Sequence, residues 1–171
     1  ERDEVSSWST PLVVEYEGKT QIITSATNRV RSYDMNSGEV IWECSGMTGN
    51  VIPSPVYSSG MLYVMSGFRG SALLAIDLSK ATGDITGSDA IVWKYDQNTP
   101  YTPCPVLMDD KLYFLKVNHG YLTCLNTLDG SENYSNQKLG GIKNIFTSPL
   151  GVDDRIYITG TDGTTCVIKH G

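Results

Sequence analysis

A short phrase recurs four times in this chain, and its spacing narrows sharply what the chain can fold into. Ser9-Thr10-Pro11-Leu12, Pro53-Ser54-Pro55-Val56, Pro103-Cys104-Pro105-Val106 and Thr147-Ser148-Pro149-Leu150 each introduce a run of strand-forming residues. The prolines Pro11, Pro55, Pro105 and Pro149 are 44, 50 and 44 residues apart. A period of about 45 residues in strand-rich sequence predicts propeller blades, each a small sheet that must bury its faces on its neighbours.

The unit that begins at Pro105 reads most clearly. Val106-Leu107-Met108 predicts a short strand, Asp109-Asp110 a turn, and Lys111 to Leu115 a second strand rich in residues that suit a pleated surface. Asn118-His119-Gly120 turns the chain into Tyr121–Leu125, and Asn126 to Gly130 turns it again toward a fourth strand over Ser131–Asn136. Anchors repeat in the other units. Tyr63, Tyr113 and Tyr157 each lie eight residues after their proline, with Ile22-Ile23 in the corresponding place of the first unit. Asp34 to Gly38 matches Asn126 to Gly130: an Asx side chain can hold the turn, and glycine closes it with positive φ. An aromatic follows, Trp42 or Tyr134; in the second unit the insertion Asp84–Ala90 delays it to Trp93. Large flat side chains at a fixed outer position suit burial between packed blades, so Trp42, Trp93 and Tyr134 are expected to act as structural wedges. Trp8, out of phase with them, is expected in a loop or at the mouth of the channel.

The fold class expected is therefore all-β: blades of four-stranded antiparallel sheets, about four of them, as part of a seven- or eight-bladed ring. The whole chain, 1–171, reads as one partial propeller domain with blades near 8–46, 50–97, 100–138 and 144–171, the last incomplete. Glycine and tyrosine are abundant, at 17 and 10 residues, in keeping with tight turns between strands. A net charge of −6 and the absence of a basic stripe argue against nucleic acid as a partner. No apolar run approaches the ~20 residues of a membrane-spanning helix. The four cysteines show no zinc-like or Cys-x-x-Cys spacing and are expected as free thiols in small-residue slots of the repeat.

The segment Tyr33-Asp34-x-x-Ser37-Gly38-x-x-x-Trp42, echoed by Ala75-Ile76-Asp77 and Thr82-Gly83 with Trp93, resembles the tryptophan-docking motif of the pyrroloquinoline-quinone-like propeller repeat. The resemblance extends over nearly the whole chain. It implies kinship with quinoprotein alcohol dehydrogenases and with non-catalytic secreted or periplasmic bacterial propellers, WD40-like in general architecture. Members that bind the quinone use, as the resemblance implies, a vicinal cysteine pair, a tryptophan and calcium-holding carboxylates. No Cys-Cys pair occurs here, so no cofactor, catalytic or metal residues are carried over, and none is expected. The last unit stops at Lys169-His170-Gly171, after its third strand. The chain is on this account expected to be a stretch of a longer exported protein, located outside the cytoplasm of a bacterium. Its exposed blade faces are expected to allow a homodimer.

Binding is expected at the rim made by the second turn of each unit and by the loops between units. The candidates there are Arg29, Phe68, Arg69, His119 and Asp162, able to meet a polar or acidic ligand. With only two histidines and no nucleophile elbow, His-Glu-x-x-His or phosphate-cradling loop, catalysis finds little footing. The reading is a non-catalytic scaffold that contacts a protein, peptide or carbohydrate; the alternative is a piece of a quinone-dependent dehydrogenase whose cofactor ligands lie outside this chain.

Overall fold

A computed structural model describes residues 4–171. The chain folds entirely into strands and turns, with no helix among the described residues, and hence none able to cross a membrane. The first sheet begins with β1 (Leu12–Tyr16), β2 (Lys19–Ala26), β3 (Arg29–Asp34) and β4 (Val40–Ser45). The chain continues through β5 (Val56–Ser58), β6 (Met61–Ser66), β7 (Ala72–Asp77), β8 (Gly83–Asp84) and β9 (Ile91–Tyr95). A third sheet follows in β10 (Val106–Met108), β11 (Lys111–Leu115), β12 (Tyr121–Asn126) and β13 (Glu132–Lys138), and a fourth in β14 (Leu150–Val152), β15 (Arg155–Thr159) and β16 (Thr165–Lys169).

Each sheet is an antiparallel meander, the topology of a propeller blade, with one departure. The stretch that sequence treats as an insertion delaying Trp93 is not a loose excursion. It carries β8 out of the second unit and adds it, parallel, to the outer edge of β4, giving the first sheet five strands. The Ile85 N–H donates to Glu43 O at 2.9 Å, and the Thr86 hydroxyl accepts from the Ser45 N–H at 3.0 Å. Ile85 is buried beneath this strap. An edge strand presents a row of unpaired backbone groups, and here a neighbouring unit covers it.

The recurrent turn chemistry operates as read. In the hairpins after the first strand of each sheet, Glu17, Ser59, Asp109 and Asp153 have φ of 49°, 50°, 48° and 53°. Asp34 Oδ1 accepts from the N–H groups of Asn36 and Ser37, and Asn126 Oδ1 from that of Leu128. The hydrogen bonds pull Asp34 below the ordinary carboxylate range, backbone donation from Ser37 being the leading cause.

The core lies between sheets. One cluster joins Val14, Ile23, Val30 and Trp42 of the first sheet to Leu62, Val64, Leu74 and Ile76 of the second. Another joins Tyr63, Met65, Leu73 and Trp93 to Leu112, Phe114 and Leu125 of the third. The last brings Tyr113, Leu115, Leu122 and Cys124 against Ile156 and Ile158 of the fourth, with Tyr134 partly buried at its margin. Sheets two and three are thus covered on both faces, and their central strands read as near-continuous apolar runs, MLYVMS, ALLAID and KLYFL. Strands of the terminal sheets alternate instead, because one face of each is open.

The repeated phrase itself links sheets near their first strands. The Ser9 hydroxyl donates to Pro53 O at 3.1 Å, the Ser54 N–H to Cys104 Sγ at 3.2 Å, and the Cys104 N–H to Ser148 Oγ at 3.0 Å. A small residue recurs in the slot of Ser54, Cys104 and Ser148 because its side chain or backbone N–H meets the neighbouring copy of the phrase. All four cysteines are free thiols; burial drives the Cys44 thiol up to about 12, and it is inert at neutral pH.

Candidate functional site

The rim forms where the loop leading into each sheet crosses that sheet's second turn. Backbone bonds lock the two together. The Thr27 N–H donates to Ser6 O at 3.0 Å, Gly49 and Phe68 form a β-bridge, and the Val117 N–H donates to Thr99 O at 3.1 Å. Farther along, the Ile145 N–H donates to Asn118 O at 2.8 Å and the Thr161 N–H to Asn144 O at 3.1 Å. Side chains then tie one sheet's rim to the next: the Thr99 hydroxyl donates to Ser66 O at 2.7 Å, and the Asn50 N–H to Thr27 Oγ1 at 3.2 Å. The approach is close enough that a Cβ on Gly67 would lie 2.4 Å from Thr99 O, so only glycine fits there.

On this braced frame the candidate residues fall into separate surroundings. Phe68 and Arg69 share a cleft of about 430 Å³ with Val5, Thr27, Thr48 and Asn50. Arg69 sits at φ 54°, and its guanidinium lies over the Phe68 ring, 5.2 Å from the centroid. The other edge of the aromatic unit is Tyr101, stacked on Phe68 with centroids 4.9 Å apart. The resulting cation, ring and ring are held by two loops from different sheets. Thr48 Oγ1 is buried here without a hydrogen-bond partner among the described residues.

His119 lies in a different cleft, of about 330 Å³, beside Lys138 and Lys143. Arg29 is engaged away from these clefts: its Nη1 is 2.8 Å from Glu43 Oε1, and Glu43 also takes the Arg31 Nε at 2.7 Å. Asp162 spends its carboxylate on its own turn, accepting from the Thr164 N–H at 3.0 Å, which lowers its pKa. The structure therefore brings Phe68 and Arg69 together and places Arg29, His119 and Asp162 in other settings. Tyr101, Lys138 and Lys143 join the candidates; each belongs to or borders a loop between units, which is the signal sequence offered for them. Trp8 is exposed on the lead-in loop of the first sheet, its N–H bonded to Val51 O at 2.9 Å.

Trp42 is fully buried, its Nε1 donating to Gln21 Oε1 at 3.3 Å within the first sheet. Trp93 reaches the third sheet, where its Nε1 donates to Thr127 O at 3.0 Å and its ring covers Gly130. Tyr134 is half-buried, and desolvation raises its pKa.

Residues 3–169 match the family described as outer membrane protein assembly factor BamB. The chain belongs to that family. Its fold is shared with the crystal structure of BamB from Moraxella catarrhalis, at 16% identity and a TM-score of 0.57, over 92% of this chain and 44% of the other. Two computationally designed proteins share it too, each at 9% identity: Ika4, with a TM-score of 0.62 over 99% of this chain and 96% of its own, and Ika8, with 0.59 over 92% and 44%. This BamB-family chain thus spans less than half the length of the Moraxella protein. No curated protein matches it significantly in sequence.

The residues present do not fit a quinone. The thiols are dispersed, Cys44 in β4, Cys104 before β10, Cys124 in β12 and Cys166 in β16. Among the described residues no group of three His, Cys, Asp or Glu side chains converges to hold a cation. At the rim of this BamB-family chain an arginine and two stacked rings lie together.

Proposed function

We propose that this chain is a non-catalytic binding module of an extracytoplasmic bacterial protein, and that it holds an extended peptide or a protein loop against its rim. The observation that carries the reading is the braced cleft bordered by Phe68 and Arg69, with Tyr101 stacked on the Phe68 ring. The rings supply apolar area at low entropic cost, and the guanidinium, anchored over Phe68, supplies a fixed donor for a carboxylate or a backbone carbonyl. Backbone bonds on both sides of the cleft keep it formed in the absence of a ligand, which lowers the cost of binding. A family described as an outer membrane protein assembly factor favours a polypeptide as the partner and a location outside the cytoplasm.

The test is selection of a displayed library of short peptides against the purified chain, repeated with Phe68→Ala and Arg69→Ala. Peptides bearing a carboxylate beside an aromatic or aliphatic residue are expected to be enriched, with affinity falling about tenfold or more in either variant. Equal enrichment by the wild type and both variants would reject the cleft as the binding site.

A further inference from the structure

The loop between the third and fourth sheets, Leu139-Gly140-Gly141-Ile142-Lys143-Asn144-Ile145, holds two kinds of side chain, and burial separates them. Leu139, Ile142 and Ile145 lie in the core shared by those sheets, while Lys143 and Asn144 stay exposed. Backbone bonds fix the loop at both ends: the Leu139 N–H donates to Gly120 O and the Ile145 N–H to Asn118 O, each at 2.8 Å. A Cβ on Gly120 would lie 2.7 Å from Ile142 O, so loop and turn are in close contact. Asn144 has φ 53°, which asparagine tolerates better than most residues, and its carbonyl accepts from the Thr161 N–H at 3.1 Å. Three buried side chains and three backbone bonds therefore set where the exposed pair begins.

The resulting cleft of about 330 Å³ is lined by His119 and Tyr121 of the third sheet, Lys138 from the end of β13, and Lys143 and Asn144 from the loop. Tyr121 and Lys138 are register partners, so strand pairing places the first lysine as the loop places the second. Two ammonium groups, an imidazole N–H and a carboxamide thus border one concavity, and no carboxylate lines it. Other cations of the chain are matched: Arg29 and Arg31 by Glu43, Lys80 by Asp89 and Lys111 by Asp110. Lys138 and Lys143 form no ion pair among the described residues. Asp162, on the second turn of the fourth sheet, keeps its carboxylate on the Thr164 N–H. Like charges in one cleft repel, and an anion between them relieves the repulsion while accepting from several donors at once.

Position on the rim indicates which anion. The lead-in loop of the third sheet connects this cleft to the one at Phe68 and Arg69. Tyr101 stacks on Phe68, its N–H donates to Val117 O at 3.1 Å, and the Thr102 N–H donates to Asn118 Oδ1 at 3.1 Å. A polypeptide lying on Phe68 and passing over Tyr101 is led to His119. Each cleft holds cationic side chains with no carboxylate in its lining, although the chain as a whole carries a net charge of −6. We propose that the cleft at His119, Lys138, Lys143 and Asn144 is a second subsite of the rim and takes the carboxylate of an aspartate or glutamate in the bound polypeptide. This subsite presupposes the polypeptide partner proposed for the rim. Ammonium groups act as point charges on flexible stems, so the subsite selects negative charge without fixing which acid supplies it.

Titration of the purified, isotopically labelled chain with an oligoglutamate peptide, followed through amide NMR shifts, tests this. Saturable shifts are expected at His119, Gly120, Lys143 and Asn144 in low-salt buffer, and they should shrink at high salt. Lys138→Gln and Lys143→Gln, both at exposed positions, should each weaken binding about threefold and together about tenfold, with the rest of the spectrum unchanged. Shifts that the double variant retains in full, or shifts spread evenly over all lysines, would overturn the proposal. Inorganic phosphate binding these amides as tightly as the peptide would also overturn it, marking a site for any small anion. Phe68→Ala should leave the shifts at His119 and Lys143 in place. If Phe68 and Arg69 prove dispensable for peptide selection while these shifts persist, their cleft is rejected and this subsite stands; the reverse pattern rejects this subsite alone.

Discussion

Gly38 and Gly130 occupy the same place in their turns and have the same φ, 72°, yet their surroundings differ. A Cβ on Gly130 would lie 2.7 Å from the Trp93 ring, whereas a Cβ on Gly38 would meet nothing within 4 Å. Gly38→Ala therefore brings backbone strain alone, about 1 kcal/mol, and Gly130→Ala adds the displacement of a buried indole, for a total of roughly 2–4 kcal/mol. Urea denaturation of the two variants measures the difference, and equal losses would mean that the Trp93 contact contributes nothing. Glycine at both positions is legible from the turn; the second reason for Gly130 is not, because Trp93 lies in another sheet. The same holds for Tyr63 and Tyr113. Their spacing marks them as anchors, but only the packing of sheets reveals that their hydroxyls cross to the next turn.

At the scale of elements, hairpins were readable and the strap was not. Strands such as Lys111–Leu115 and Tyr121–Asn126 have apolar runs and turn residues close in sequence, so local chemistry identifies them. β8 consists of a glycine and an aspartate, without any periodicity, and its partner β4 is about 40 residues earlier; nothing local marks it. Thr86→Ala removes the hydroxyl that accepts from the Ser45 N–H, an expected loss of about 0.5–1.5 kcal/mol. Hydrogen exchange should quicken at the Ser45 amide while the β6–β7 amides keep their protection. Unchanged exchange at Ser45 would show that β8 does not hold the edge in solution. The rim follows the same division. Phe68 and Arg69 stand out as turn residues, whereas Tyr101 becomes their partner only when the lead-in loop of the third sheet passes over the second.

Over the whole molecule, each cluster of buried side chains joins two adjacent sheets, so stability is expected to behave as a one-dimensional array. Among the described residues the fourth sheet shares its buried cluster with the third sheet alone. Ile158→Ala, at a fully buried position in the last joint, is expected to cost about 2–5 kcal/mol locally. Amides of β14, β15 and β16 should then lose protection from exchange, with those of the first two sheets unaffected. Uniform loss across all sheets would show that the array unfolds as one unit.

By itself the sequence determined the repeat, the strands within each unit, the turns between them and the family resemblance. All of these are set by residues near one another along the chain, where turn geometry and alternation act directly. Tertiary structure alone decided which edges are covered, which hydroxyl meets which carbonyl, and which rim residues share a cleft. Those outcomes depend on the separation and rotation of packed sheets, and no local pattern encodes a contact between side chains that many residues keep apart.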